Sequence, residues 1–172
     1  MAIIQQSLHK PAFPGTSDLE GLNLNITVPE TSGRLPESSD KLPVFVFIHG
    51  GGFASGANWW PQYDNAALVE LSTRQKSPII AININYRTGP LGFLTSPMLR
   101  TLGYKPNNGL RDQRAALDWI KTYISGFGGD PDNVTVAGES AGGGESQNLY
   151  RHERNDWRLR FLLSSAQSPL GS

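Results

Sequence analysis

Residues 133–143 read NVTVAGESAGG. Val134, Val136 and Ala137 give the stretch the apolar start of a buried strand. Gly138, Gly142 and Gly143 then close around a single serine, Ser140. A chain that leaves a strand and turns sharply into a helix needs residues without a Cβ around a strained apex. A serine at that apex is pushed clear of the sheet, where a base can reach its hydroxyl. The pattern G-x-S-x-G is weak by itself in a chain with 19 glycines, and a glycine-rich turn without chemistry has the same letters. Its place directly after a buried strand gives it weight.

The segments on either side supply the rest of the sheet. Residues 44–48, VFVFI, are apolar at every position, and IIAINI at 79–84 is nearly so. Strands covered on both faces in a parallel sheet read this way. Residues 22–28, LNLNITV, alternate instead, with Leu22, Leu24, Ile26 and Val28 on one face and Asn23, Asn25 and Thr27 on the other. That is the signature of a half-buried, antiparallel strand near a sheet edge. Residues 30–42 read as a loop. Helices are expected at 65–75 and at 110–125, where Leu110, Leu117, Ile120 and Ile124 fall at helical spacing. The glycines and proline of GFGGDPDN at 126–133 stop the second helix. A third helix is expected over 141–149, its unpaired N–H groups and positive end facing Ser140. Strands alternating with helices predict an α/β fold, a mostly parallel sheet with flanking helices.

A second glycine cluster follows the strand at 44–48, in HGGGF at 49–53. Acyl transfer needs donors aimed where negative charge develops on the carbonyl oxygen, and one such donor is typically worth about 2.7–4 kcal/mol. The N–H groups of Gly51 and Gly52, with that of Ala141 after the serine, are the natural oxyanion hole. A plain glycine-rich turn is the bland alternative. No G-K-[ST] follows, which removes a Walker motif, and no G-x-G-x-x-G opens a helix here, which argues against a dinucleotide site.

Composition narrows the function classes. Apolar residues make up 38% and charged residues 17% of 172, a globular balance. Formal net charge is zero, and no basic or acidic block invites nucleic acid or an anionic membrane. There is no cysteine, hence no disulfide framework or thiolate metal site, and His9, His49 and His152 lack metal-ligand spacing. No run approaches the roughly 18 apolar residues of a membrane helix. The N-terminus shows no signal-peptide pattern, so a cytoplasmic location is expected of the chain as written. Two N-x-T sequons, at Asn25 and Asn133, lie in or beside predicted strands and read as chance.

The chain resembles the type B carboxylesterases, the carboxylesterase and cholinesterase-like branch of the α/β-hydrolase fold. The resemblance is carried by GLNLNITVP at 21–29, PVFVFIHGGGFASG at 43–56 and NINYRTGPLGFL at 83–94. It continues in NNGLRDQRAALDWI at 107–120 and FGGDPDNVTVAGESAGGG at 127–144. It covers about 19–144 of a single partial domain, residues 1–172, with a divergent tail over 145–172. The hormone-sensitive-lipase branch shares the glycine-rich loop but not the NYRTGPLGF and FGGDPDNVT blocks.

The resemblance implies an acyl-enzyme mechanism on a small-molecule carboxylic ester, with no metal or organic cofactor. Ser140 is then the nucleophile, and Gly51, Gly52 and Ala141 form the oxyanion hole. Glu139 is a supporting elbow carboxylate, and His49 belongs to the oxyanion loop rather than acting as base. Asp112 and Gln113 match a supporting polar pair, although ordinary polarity at a helix start explains Asp112 equally well. Asp130 and Asn133 read as turn residues before the strand. The departures matter too. The family's N-terminal strands are absent, Gly21 stands where many secreted members carry a disulfide cysteine, and the acid and histidine of the family lie far downstream of the serine. His152 follows Ser140 by 12 positions, about 18 Å along a helix, and both it and His9 read as solvated histidines. The expectation is therefore a truncated esterase core with little turnover of its own, whose uncovered apolar surface invites association. A non-catalytic esterase-like fragment, or a binding or adhesion module, is the rival reading.

Overall fold

The computed structural model describes residue 17, residues 20–143 and residues 159–164. Five strands form one sheet in the order β1-β3-β2-β4-β5. They are β1 (Leu24–Thr27), β2 (Leu42–Ile48), β3 (Ile80–Ile84), β4 (Gly129–Glu139) and β5 (Leu159–Ser164). β1 runs antiparallel to β3 at one edge, while β3, β2, β4 and β5 are mutually parallel. Among the described residues four helices of five residues or more accompany them: α1 (Ala66–Arg74), α2 (Gly89–Phe93), α3 (Pro97–Thr101) and α4 (Asn108–Tyr123).

Side-chain alternation divides the sheet into two faces. Val44, Val46 and Ile48 pair with Ile80, Ile82 and Ile84 across β2 and β3, and with Val134 and Val136 on β4. All are buried, together with Leu117, Ile120 and Ile124 on the α4 side. Fully burying one such side chain stabilises by about 1.5–3 kcal/mol, so this layer sets the architecture. The helix read at 110–125 begins two residues earlier, at Asn108, and gives way to a 3₁₀ turn over Ile124–Phe127. Gly128 ends that turn in the left-handed region at φ 82°, where a side chain would be strained.

The opposite face is covered less completely. Val44, Val46 and Ile48 are buried, whereas Phe45 and Phe47 are only half-buried. The expectation that every residue of VFVFI is enclosed is thus corrected. Phe47 rests against the ring of Tyr63, 5.1 Å away, in the segment before α1. Polar residues finish this face. Asn58, 3% exposed, donates to the Oδ1 of Asn23 (2.9 Å) and to the carbonyl of Asn83 (3.3 Å), and Asn65 donates to the Oδ1 of Asn83 (2.8 Å). These bonds tie the loop at 57–65 to β3 and to the residue before β1, and buried amides need such partners.

A second correction concerns GDPDN. It lies inside β4 as a bulge rather than before the strand: Leu42 and Val44 of β2 pair with Gly129 and Val134. Asp130 still shapes a turn there, its Oδ1 accepting the N–H of Asp132 at 2.9 Å. Large apolar side chains stay uncovered on α2, α3 and the segment after them, including Leu91 (78% exposed), Met98 (74%) and Tyr104 (65%). No helix among the described residues is long and apolar enough to cross a membrane.

Candidate active site

Strand order alone points to one spot on this sheet. From β2 the chain passes to β3 on one side, and from β4 it passes to β5 on the other. In open α/β sheets a crevice forms at the carboxyl ends of strands where the direction of travel reverses. Here those strands are β2 and β4. They end level, with Ile48 opposite Gly138. HGGGF leaves β2 and ESAGG leaves β4 side by side.

Ser140 stands at the apex of the second turn. Its φ is +52°, a left-handed value that costs a residue with a Cβ about 1–2 kcal/mol, and its side chain is exposed. The helical turn that follows occupies 141–143, and the remainder of the helix expected over 141–149 lies outside the described residues. Close packing of bare backbone holds the turn. A Cβ on Gly142 would sit 2.4 Å from the carbonyl oxygen of Ile48 and 2.7 Å from that of His49. One on Gly50 would sit 2.8 Å from the carbonyl oxygen of Glu139 and 3.4 Å from the Cβ of Ser140. The two glycine clusters therefore touch through their backbones.

The loop after β2 follows an unusual path. Gly51, Gly52 and Phe53 all have positive φ, at 127°, 61° and 62°. The carbonyl of Gly51 turns inward to accept the N–H groups of Ala54 (3.1 Å) and Ser55 (3.2 Å). Gly51 is buried and Gly52 exposed, while Ala141 is 8% exposed.

His49 lies beneath this loop, 1% exposed. Its ring stacks on Tyr86 at 4.4 Å, and its Nδ1 donates to the carbonyl of Gly50 at 2.9 Å. The hydroxyl of Tyr86 donates in turn to the His49 carbonyl at 2.9 Å. With the proton on Nδ1, the buried Nε2 is a bare acceptor, and it has no hydrogen-bond partner among the described residues. Burial pushes the His49 pKa below the usual histidine value, against the Gly50 carbonyl and the charge of Glu139, which pull it up. Burial thus favours the neutral form of His49. His9 and His152 lie outside the described residues.

Glu139 is half-buried, and its Oε2 accepts the hydroxyl of Tyr63 at 2.7 Å. Burial and this carboxylate raise the Tyr63 pKa well above the ordinary phenol value, so the phenol stays a donor. Asp112 does not serve the start of α4. Its carboxylate accepts the Nε (2.7 Å), Nη2 (2.6 Å) and backbone N–H (3.0 Å) of Arg87. The bidentate pairing raises the Arg87 pKa further. Gln113 beside it is fully buried.

Tyr63, Tyr86, Phe53 and Arg87 were not among the residues expected at the site. Their roles depend on partners distant in sequence, Tyr63 and Glu139 being 76 positions apart. Gly50 and Gly142 were visible as part of their clusters, but as letters of a motif rather than as points of contact.

Known proteins resemble this chain in sequence and fold. A profile of the carboxylesterase family matches residues 4–156. The chain is 47% identical over 137 residues to the para-nitrobenzyl esterase of Bacillus subtilis, covering 80% of this chain and 25% of that protein. A secreted lipase of Gibberella zeae is 45% identical over 120 residues, covering 70% and 20%. Among solved structures, a PNB esterase superposes with a TM-score of 0.68 at 42% identity, covering 83% of this chain and 28% of that one. Aspergillus niger EstA gives 0.64 at 38%, covering 80% and 25%. The chain spans about a quarter of the length of the curated relatives it matches.

Proposed function

The chain belongs to the carboxylesterase family, and from that premise we propose that it carries the nucleophile and oxyanion half of a serine carboxylic-ester hydrolase. One observation carries the reading. Ser140 sits exposed at a φ of +52°, with Gly50 of the HGGGF loop against its Cβ. A strained serine at the end of a central strand, walled by a donor-rich loop, suits attack on a carbonyl.

In this mechanism the Oγ of Ser140 attacks the ester carbonyl carbon while a base takes its proton. The carbonyl π electrons move to oxygen, and the N–H groups of Gly51, Gly52 and Ala141 hold the resulting oxyanion. The oxyanion collapses, the C–O bond to the alcohol breaks, and the alcohol leaves with a proton. Water then adds to the acyl-serine by the same path and releases the acid. The base lies outside the described residues, because His49, the histidine among them, is stacked under Tyr86 with its Nδ1 committed to Gly50. Glu139, fixed by Tyr63, places a negative charge beside the elbow that favours a cationic base nearby.

Exposure to a fluorophosphonate probe, followed by peptide mass analysis, tests the assignment. Ser140 should be labelled faster than every other serine, and Ser140→Ala should abolish that label. Wherever short-chain p-nitrophenyl esters are turned over, the same substitution should lower the rate at least about 100-fold. Equal labelling of wild type and Ser140→Ala would leave the family fold with a non-catalytic, binding role.

A further inference from the structure

The proposed oxyanion role of Gly51 and Gly52, on which this inference rests, demands a loop of fixed orientation. Gly51, Gly52 and Phe53 hold positive φ in succession, and Phe53 has a Cβ. Such a path persists only where the surroundings impose it. Burial holds Gly51 but not Phe53, which is 41% exposed. The Gly51 carbonyl is held by Ala54 and Ser55, and two contacts hold Phe53, both from α2. The N–H of Gly89 donates to the Phe53 carbonyl at 2.5 Å. The ring of Phe93 meets that of Phe53 edge-on, with centroids 5.2 Å apart at 72°, a favoured aromatic geometry.

α2 is itself fixed from beneath. A Cβ on Gly109 of α4 would lie 2.6 Å from the Phe93 ring and 2.6 Å from the Arg87 carbonyl oxygen. One on Gly92 would lie 2.0 Å from that same oxygen. The Arg87 carbonyl is thus wedged between α2 and α4, and the three bonds to Asp112, whose side chain is 6% exposed, hold Arg87 there.

We propose that Phe93 is a positioning residue for the ester-cleaving site: seated by the Arg87–Asp112 pair, its ring bolts Phe53 and so keeps the Gly51 and Gly52 N–H groups facing Ser140. Phe93 touches neither substrate nor nucleophile in this scheme. It acts through Phe53 on the loop.

Backbone ¹⁵N relaxation on the full chain tests it, with no ester present. In the wild type the N–H order parameters of Gly51–Phe53 should be near 0.85, the value of rigid backbone. In Phe93→Leu they should fall below about 0.6, while those of Val46 and Ile82 stay unchanged. Phe93→Tyr, which keeps the ring, should restore them. Should Phe93→Leu fail to fold, Phe53→Leu, at a partly exposed position, should show the same local loosening. Order parameters of Gly51 and Gly52 that remain near 0.85 in a folded Phe93→Leu or Phe53→Leu chain overturn the proposal. Failure of Ser140 to react with a fluorophosphonate would instead sink the catalytic reading and leave this measurement intact. In a form that turns over esters, Phe93→Leu should lower kcat with little change in KM, because an oxyanion hole acts on the transition state.

Discussion

The hydroxyl of Tyr63 and the carboxylate of Glu139 meet at 2.7 Å across 76 positions of sequence. The bond joins the segment before α1 to the residue that precedes Ser140, and so it braces that turn from the side opposite α4. Tyr63→Phe keeps the ring contacts with Phe47 and Trp60 and removes only the donor. A hydrogen bond to a charged group is worth about 1.5–3 kcal/mol, and the half-buried carboxylate places this one at the low end. The thermal midpoint should fall by about 3–6 °C. An unchanged melting curve would show that the bond contributes nothing to the fold.

Ser140 separates stability from chemistry. Its positive φ penalises any residue with a Cβ, and glycine escapes the penalty at some cost in unfolded-chain entropy. Ser140→Gly should therefore stabilise the chain by about 0.5–1 kcal/mol, raising the thermal midpoint by about 1–4 °C. Ser140→Ala keeps the Cβ and should not. Both should lose fluorophosphonate labelling. Equal midpoints for the two variants would remove the case for strain at the apex.

Gly142 and Gly126 make a matched pair. A Cβ on Gly142 would collide with two backbone carbonyls, whereas one on Gly126 meets nothing within 4 Å. Gly142→Ala should cost at least about 2 kcal/mol, because the neighbours cannot move aside independently. Gly126→Ala should stay within about 0.5 kcal/mol. Chemical denaturation of both variants checks the contrast, and similar midpoints would contradict the close packing of the two glycine clusters.

His49 gives the site a pH signature. Burial lowers its pKa in the folded state, so between that value and about 6.5 the unfolded chain binds more protons. This contribution to stability is complete above about pH 6.5 and is lost as pH falls from there through the folded-state pKa. The His49 imidazole, followed by NMR, should titrate with a midpoint below 6.5. A midpoint at or above that value would mean that the Glu139 charge and the Gly50 carbonyl outweigh burial.

Legibility in the sequence followed the range of the interaction. Apolar runs report burial directly, which is why β2 and β3 and the stripe on α4 could be read from their residues. The tight turn at Ser140 was readable because its need for small residues is local to six positions. Asp112 was ambiguous, since a carboxylate near a helix start has a ready local explanation. Its partner, Arg87, is 25 positions away and became visible only in the fold. The half-buried state of Phe45 and Phe47 was missed for a related reason. An apolar strand states what could be covered, and among the described residues the ring of Tyr63 lies against Phe47. The bulge at GDPDN escaped because the same turn chemistry serves before a strand or inside one.

The left-handed backbone at Gly51–Phe53 and at Ser140 bears on how the protein fails. Strained segments belong to the low end of a molecule's range of local stabilities, while enclosed strands such as Ile80–Ile84 belong to the high end. On gentle warming, the geometry around Ser140 should relax while the sheet still holds. Loss of serine reactivity would then precede loss of the circular-dichroism signal, and would reverse on cooling. Loss of Ser140 reactivity on warming would be a local event at two turns, with the scaffold standing ready to rebuild them.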